Sequence, residues 1–213
     1  MSSRRLDKFE EIQKKKQLLV EGATPKHFFS AWLKSLGLLE GVQVQNFGGF
    51  GELDGFLRAF AQQQAFKEVV DSVGIVRDAE DQIAEDAFKS VCSSLQHAKL
   101  GRPEKIGGFS AGLPRTGVFI LPNCCDPGML ETICWSALEG DPKNKAHLEC
   151  INSHLGCLGA AGIRPKNLTK AKIWTYLSGL AEFDPQVGRA AHNSKFDWQS
   201  PALAPLADFL RAL

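Results

Sequence analysis

Short apolar runs alternate with stretches of helical periodicity from the first strand signal up to Gly140. Gln17-Leu18-Leu19-Val20 reads as a short buried strand closing on Glu21-Gly22. Thr24-Pro25 then has the form of a helix N-cap followed by proline in the first turn. Phe28, Phe29, Trp32, Leu33 and Leu36 supply the apolar side of that helix, which ends near Gly37. A second strand over 42–46 leads through the glycine-rich 47–51 into a helix from 52 to 60, with a continuation to 70 left open. The third strand occupies 73–76 and the third helix 81–96. Residues 101–117, with their glycines and prolines, predict an irregular connection holding a short strand at 105–109. A fourth strand over 117–121 is stopped by Pro122-Asn123, and helix signals resume at Pro127-Gly128 with Met129, Leu130, Ile133, Cys134 and Trp135. Beyond Gly140 only helices are predicted, over 143–158, 167–180 and 202–213, the last two joined by a polar segment, 184–200. The alternation predicts an α/β fold with a mainly parallel central sheet, right-handed crossovers, flanking helices and a helical C-terminal layer. The expected organisation is a basic segment 1–16, an α/β domain 17–140 and a helical region 141–213 packed on it.

Composition narrows the classes of function more than it adds to the fold. The 213 residues carry 25 Lys and Arg against 24 Asp and Glu, so no global positive field advertises nucleic acid or an anionic membrane. Any phosphate contact has to be local. Leu6, Phe9 and Ile12 are the spaced apolar positions of the opening segment, a spacing that suits a short amphipathic helix and lacks the continuous apolar region of a secretory signal. No run approaches the roughly 20 apolar residues that span a bilayer, so no membrane partner and a cytoplasmic location are expected. The six cysteines include no Cys-x-x-Cys, and reduced thiols are expected. His147, Cys150, His154 and Cys157 recur at helical spacing, but the outer pair would lie about 15 Å apart along one helix, too far to share a tetrahedral ion. Leu148, Ile151, Leu155 and Leu158 form the stripe expected to face the core.

Chemistry concentrates at Val73-Gly74-Ile75-Val76-Arg77-Asp78-Ala79-Glu80-Asp81, where a buried strand runs into three acids within four positions. Carboxylates at the carboxyl tip of a strand stand where open α/β sheets bind ligands, and oxygen clusters of this kind suit a hard cation such as Mg²⁺. Acids there can equally open the next helix, at the positive end of its dipole, and the stretch itself leaves both readings open. Glu21 follows the first strand and Glu131 the fourth. Gly48-Gly49-Phe50-Gly51 lacks both Gly-x-Gly-x-x-Gly and a Walker Lys-Ser/Thr, so a plain turn is expected.

A glutamate after the first strand followed by Asp-x-Glu on a later one resembles the TOPRIM domain shared by topoisomerases, primases and overcoming-lysogenization-defect nucleases. The whole chain resembles the small TOPRIM-related family catalogued as domain of unknown function 3226. The residues that carry this are Leu18-Leu19-Val20-Glu21-Gly22, Gly74-Ile75-Val76-Arg77-Asp78-Ala79-Glu80, Val118-Phe119-Ile120-Leu121-Pro122-Asn123 with Pro127-Gly128-Met129-Leu130-Glu131, and Lys170-Ala171-Lys172-Ile173-Trp174, with Lys195-Phe196-Asp197 near the end. The chain departs from the pattern at Ala23-Thr24-Pro25, where that family tends to place Lys-Asp-Asp, and at Pro122-Asn123-Cys124, where it tends to place Pro-Asp-Asn. It also has Glu80 in place of Asp.

The resemblance implies a TOPRIM-like fold and Mg²⁺- or Mn²⁺-dependent phosphodiester or phosphoester chemistry on nucleic acid, with a place in DNA processing or phage defence. In that chemistry Asp78 and Glu80 hold the metal, with Asp81 or Glu131 as a further partner, and Glu21 is the general base or another ligand. Arg77 and Lys26 are candidates to contact phosphate. The lost acids encourage a second reading, a catalytically degenerate module that binds nucleic acid through basic residues such as Arg4, Arg5, Lys14, Lys15 and Lys16, or binds a protein partner. In the partner version, or in a homo-oligomer, Trp174, Tyr176 and Leu177 are the candidate anchors, and their ordinary role would be core packing.

Overall fold

β1 (Lys16–Val20), β2 (Val42–Asn46), β3 (Ser72–Asp78) and β4 (Arg115–Leu121) form one all-parallel sheet in the computed structural model, which describes residues 10–49, 51–182 and 186–213. The strand order is β2-β1-β3-β4, so the chain builds outward from β1 on one side and then on the other. The direction of winding therefore reverses between β1 and β3, where Val20 pairs with Val76.

Both faces of the sheet are covered, which is why its strands read as apolar runs instead of alternating ones. Leu18, Val20, Val76 and Phe119 face one layer, and Leu19, Val73, Ile75, Val118 and Ile120 the other, as a period of two requires. The first layer consists of α1 (Ala23–Ser35), α5 (Leu130–Glu139), α6 (Lys145–Ala160), α7 (Leu168–Ser178), α8 (Val187–His192) and α9 (Ala204–Ala212). The second consists of α2 (Leu53–Gln62), α3 (Gln64–Val69) and α4 (Ala84–His97). Aromatic side chains fix the first layer: Phe28 makes edge contacts with Phe29, Trp32, Phe196 and Trp198, and Trp32 stacks on Trp198. Each fully buried side chain of this size contributes roughly 1.5–3 kcal/mol. On α6, Leu148 and Ile151 are buried, while Cys150, His154 and Cys157 are exposed and His147 stacks on Tyr176.

Several expected boundaries move for local reasons. α1 begins at Ala23, with Gly22 rather than Thr24 at its cap. Gly22 has φ +95° and gives its N–H to Asn46 Oδ1 at 2.7 Å, so the helix starts two residues earlier than expected. The helix expected over 52–60 forms as α2, but the optional continuation to 70 is a separate helix, α3, because Gln63 between them adopts an extended conformation (ψ 139°). No strand forms at 105–109. Phe109 makes only an isolated antiparallel bridge with Gly117, since the chain turns at Gly107 (φ +76°). The polar segment expected over 184–200 contains α8, whose Gly188 fits against α1 so closely that a Cβ there would lie 2.8 Å from the Thr24 carbonyl.

Arg4 and Arg5, and the amphipathic helix expected through Leu6 and Phe9, lie outside the described residues. Lys14 and Lys15 do not form a loose basic arm: Lys14 Nζ donates to the Leu39 carbonyl at 2.5 Å, and Lys15 pairs with Asp71 at 3.3 Å. Among the described residues, no helix is long and apolar enough to cross a membrane.

Candidate functional site

The turn after β3 bears on the helix-opening reading of the acidic stretch. α4 starts at Ala84, and the acids of its first turn are Glu85 and Asp86, so Asp78, Glu80 and Asp81 do not serve that helix. Asp78 ends β3 and reaches across to α5, where its Oδ1 accepts the Leu130 N–H at 3.0 Å. Glu80 has the left-handed φ of 54°, uncommon for this residue type, and its N–H donates to the Gly128 carbonyl at 2.7 Å. Gly128 (φ +145°) has no room for a side chain: a Cβ would lie 2.8 Å from Thr132 Oγ1. The turn after β3 and the turn before α5 are thereby clamped together.

Between these turns and the start of α1 lies a cleft of about 810 Å³. Among the described residues, its walls carry Glu21, Asp78, Glu80 and Glu131 with one cation, Lys170. It opens at the carboxyl ends of β1 and β3, the point where the sheet reverses its winding and where α/β folds bind ligands. Asn46, the last residue of β2, accepts N–H bonds from Gly22 (2.7 Å) and Gly48 (2.8 Å), and so ties the turn that carries Glu21 to the next one.

The electrostatics follow from burial and crowding. Burial pushes the Asp78 carboxyl up to about 7, with further upward contributions from Glu131 and Glu21; the Leu130 N–H and Lys170 act in the other direction. Burial also raises Glu21, with Glu80 adding to the effect, while Arg77 and Lys170 oppose it. Cys134, buried beneath the cleft, is pushed well up by its burial and then by the charges of Glu131 and Asp78. A cation brought among these carboxylates would relieve their mutual repulsion. The donor set, carboxylate oxygens with room for water, suits Mg²⁺ or Mn²⁺ in kind. Among the described residues, however, no three His, Cys, Asp or Glu side chains converge closely enough to chelate an ion as they stand.

The structure thus gathers Glu21, Asp78, Glu80 and Glu131, and leaves three other candidate residues out of the cleft wall. Asp81 is exposed beyond the Glu80 turn. Arg77 is buried on the opposite face of β3 and acts on Glu21 through space. Lys26 pairs with Glu10. Lys170, Trp174, Thr175 and Ser178 of α7 also line the cleft; the sequence places the first two in a shared motif and Trp174 among candidate partner anchors, but ties none of them to the acids. The available signal was the i, i+4, i+8 spacing of Lys170, Trp174 and Ser178, a stripe of α7 distinct from its buried residues Ile173, Tyr176 and Leu177. Tyr176 and Leu177 are core, as expected, whereas Trp174 is 55% exposed.

Comparison with curated proteins finds no match. Among solved structures, the chain is similar to the C-terminal region of the Xanthomonas campestris pv. campestris OLD protein. The mercury-phased structure shares 14% identity, covers 93% of this chain and 95% of that one, and has a TM-score of 0.47. The platinum-phased structure shares 16% identity over 93% of this chain and 89% of that one, with a TM-score of 0.41. The family model described as "Protein of unknown function (DUF3226)" matches residues 15–213, and the chain belongs to that family.

Proposed function

We propose that the cleft is a divalent-metal site of the TOPRIM kind that processes a phosphodiester or phosphoester of a nucleic acid. The observation that carries the reading is the gathering of Glu21, Asp78, Glu80 and Glu131 with Lys170 in one cleft at the switch point of a parallel sheet. Asp78 and Glu80 would hold the metal, with Glu131 as the further partner, and the more exposed side chains would rotate inward to do so. A bound Mg²⁺ or Mn²⁺ supplies Lewis-acid polarisation of a phosphoryl oxygen. Glu21, raised by burial toward the working range of a general base, would take the proton of an attacking water. Lys170 would hold a phosphate oxygen as a point charge.

Calorimetric titration of Mg²⁺ and Mn²⁺ into the natural chain and into Asp78→Ala tests this. Binding is expected for the natural chain, tightening as the pH rises through about 7 because Asp78 must lose its proton, and is expected to vanish in the variant. A natural chain that takes up neither metal at millimolar concentration would leave the second reading, a module that binds without catalysis. That reading is favoured by the absence of three converged donors among the described residues.

A further inference from the structure

Trp174 is the aromatic residue of the cleft wall, and the acid chemistry has no use for an indole. Its neighbours Ile173, Tyr176 and Leu177 are buried, but Trp174 is 55% exposed on the concave side, facing the space shared by Glu21, Asp78 and Glu80. A single exposed apolar side chain on a convex surface is ordinary. An exposed indole within a polar cleft, one helical turn from Lys170 and one from Ser178, offers a flat π-face beside a positive charge. Four residues of helix place Lys170 and Trp174 about 6 Å apart along the axis. An anion held by the lysine would thus present whatever it carries to the ring.

We infer that Trp174 is a stacking platform for an unpaired nucleobase, and that the phosphoester this cleft accepts belongs to a single-stranded nucleic acid rather than to a duplex. The inference rests on the phosphoester reading above and adds the feature that selects the substrate. Stacking on an aromatic side chain is tolerant of sequence and needs an open base face, which a paired base inside a duplex does not present. It also draws on no net charge. That matters here, because the cleft gathers four carboxyl groups around Lys170, and a contact that needs no charge is indifferent to their protonation.

Fluorescence anisotropy in the presence of magnesium tests the inference with three labelled probes: an oligothymidylate, an abasic oligomer of the same length, and a duplex. The natural chain is expected to bind the oligothymidylate at least about fivefold more tightly than the abasic oligomer or the duplex. Trp174→Ala should lose that preference and Trp174→Phe should keep most of it, with the thermal unfolding midpoint of each variant close to that of the natural chain. Equal binding of oligothymidylate and abasic oligomer, an undiminished preference in Trp174→Ala, or no binding of any oligomer would overturn the inference. Calorimetric magnesium binding by the natural chain separates the two proposals. Metal binding without base preference removes this inference alone, and base preference without metal binding removes the phosphoester reading of the acids.

Discussion

Asp78 does two things with one carboxyl group. It accepts the Leu130 N–H and so helps start α5, and it stands buried among other acids at the end of a core strand. The first function favours the charged form and the second disfavours it, and burial wins, carrying the group from the ordinary 3.8 to about 7. Well below pH 4 the group is neutral in both folded and unfolded chains. Between about 4 and 7 the unfolded chain ionises while the folded one keeps its proton, so stability falls as the pH rises through this window; above it the whole cost is present. The shift corresponds to up to about 4 kcal/mol. Asp78→Asn keeps the oxygen that accepts from Leu130 and removes the charge. Its unfolding midpoint in chelator should exceed that of the natural chain at pH 8, by an amount that shrinks as the pH falls toward 4 and vanishes below it. A midpoint lowered at pH 8 would show that the carboxylate is satisfied as it stands.

At the scale of the element, the site depends on four helices meeting two strand ends, with the start of α1 as one wall. α5 brings Glu131, and α7 brings Lys170 and Trp174; α8, a helix of six residues, closes the rim with Val187 and with Gln186 just before it. α8 is held by close approach to α1, and Gly188 permits that approach because a Cβ would press on the Thr24 carbonyl and on His27 Cβ, both at 2.8 Å. Gly188→Ala should therefore destabilise the protein by about 1–3 kcal/mol, read as a lower urea midpoint with an unchanged slope. An unaffected midpoint would mean that α8 can slide without loss. The break at Gln63 shows why helix periodicity left the continuation open: Phe60 and Phe66 are both buried on one apolar face, and their edge contact at 5.2 Å is made across a bend that a straight helix would not contain.

For the molecule as a whole, the C-terminal helices and one face of the sheet share a single core. Leu206, Phe209 and Leu210 of α9 pack with Val76, Phe119 and Leu121 of the strands, and the Leu213 side chain lies against Gly74. Thermal unfolding is accordingly expected as one calorimetric transition, and two separated transitions would show that the helical region folds apart from the sheet. Phe209 stacks on Phe109 with ring centres 4.9 Å apart and meets Phe119 at 5.6 Å, so Phe209→Ala should lower that transition by roughly 3–5 kcal/mol of stability without splitting it. The sequence alone determined the alternation of strands and helices, because strands buried on both faces must be apolar throughout, and with it the position of Glu21 and Asp78 at strand ends. It also marked Glu131 as a first-turn acid of α5. Tertiary structure decided which of these meet. The order β2-β1-β3-β4 sets β1 beside β3, and a local pattern carries no record of which strands become neighbours. It likewise decided that Asp81, Arg77 and Lys26 stand outside the cleft wall while Lys170 and Trp174 stand in it. The face a helix turns toward a distant strand end is set by how the whole core packs, and no window of sequence contains both partners.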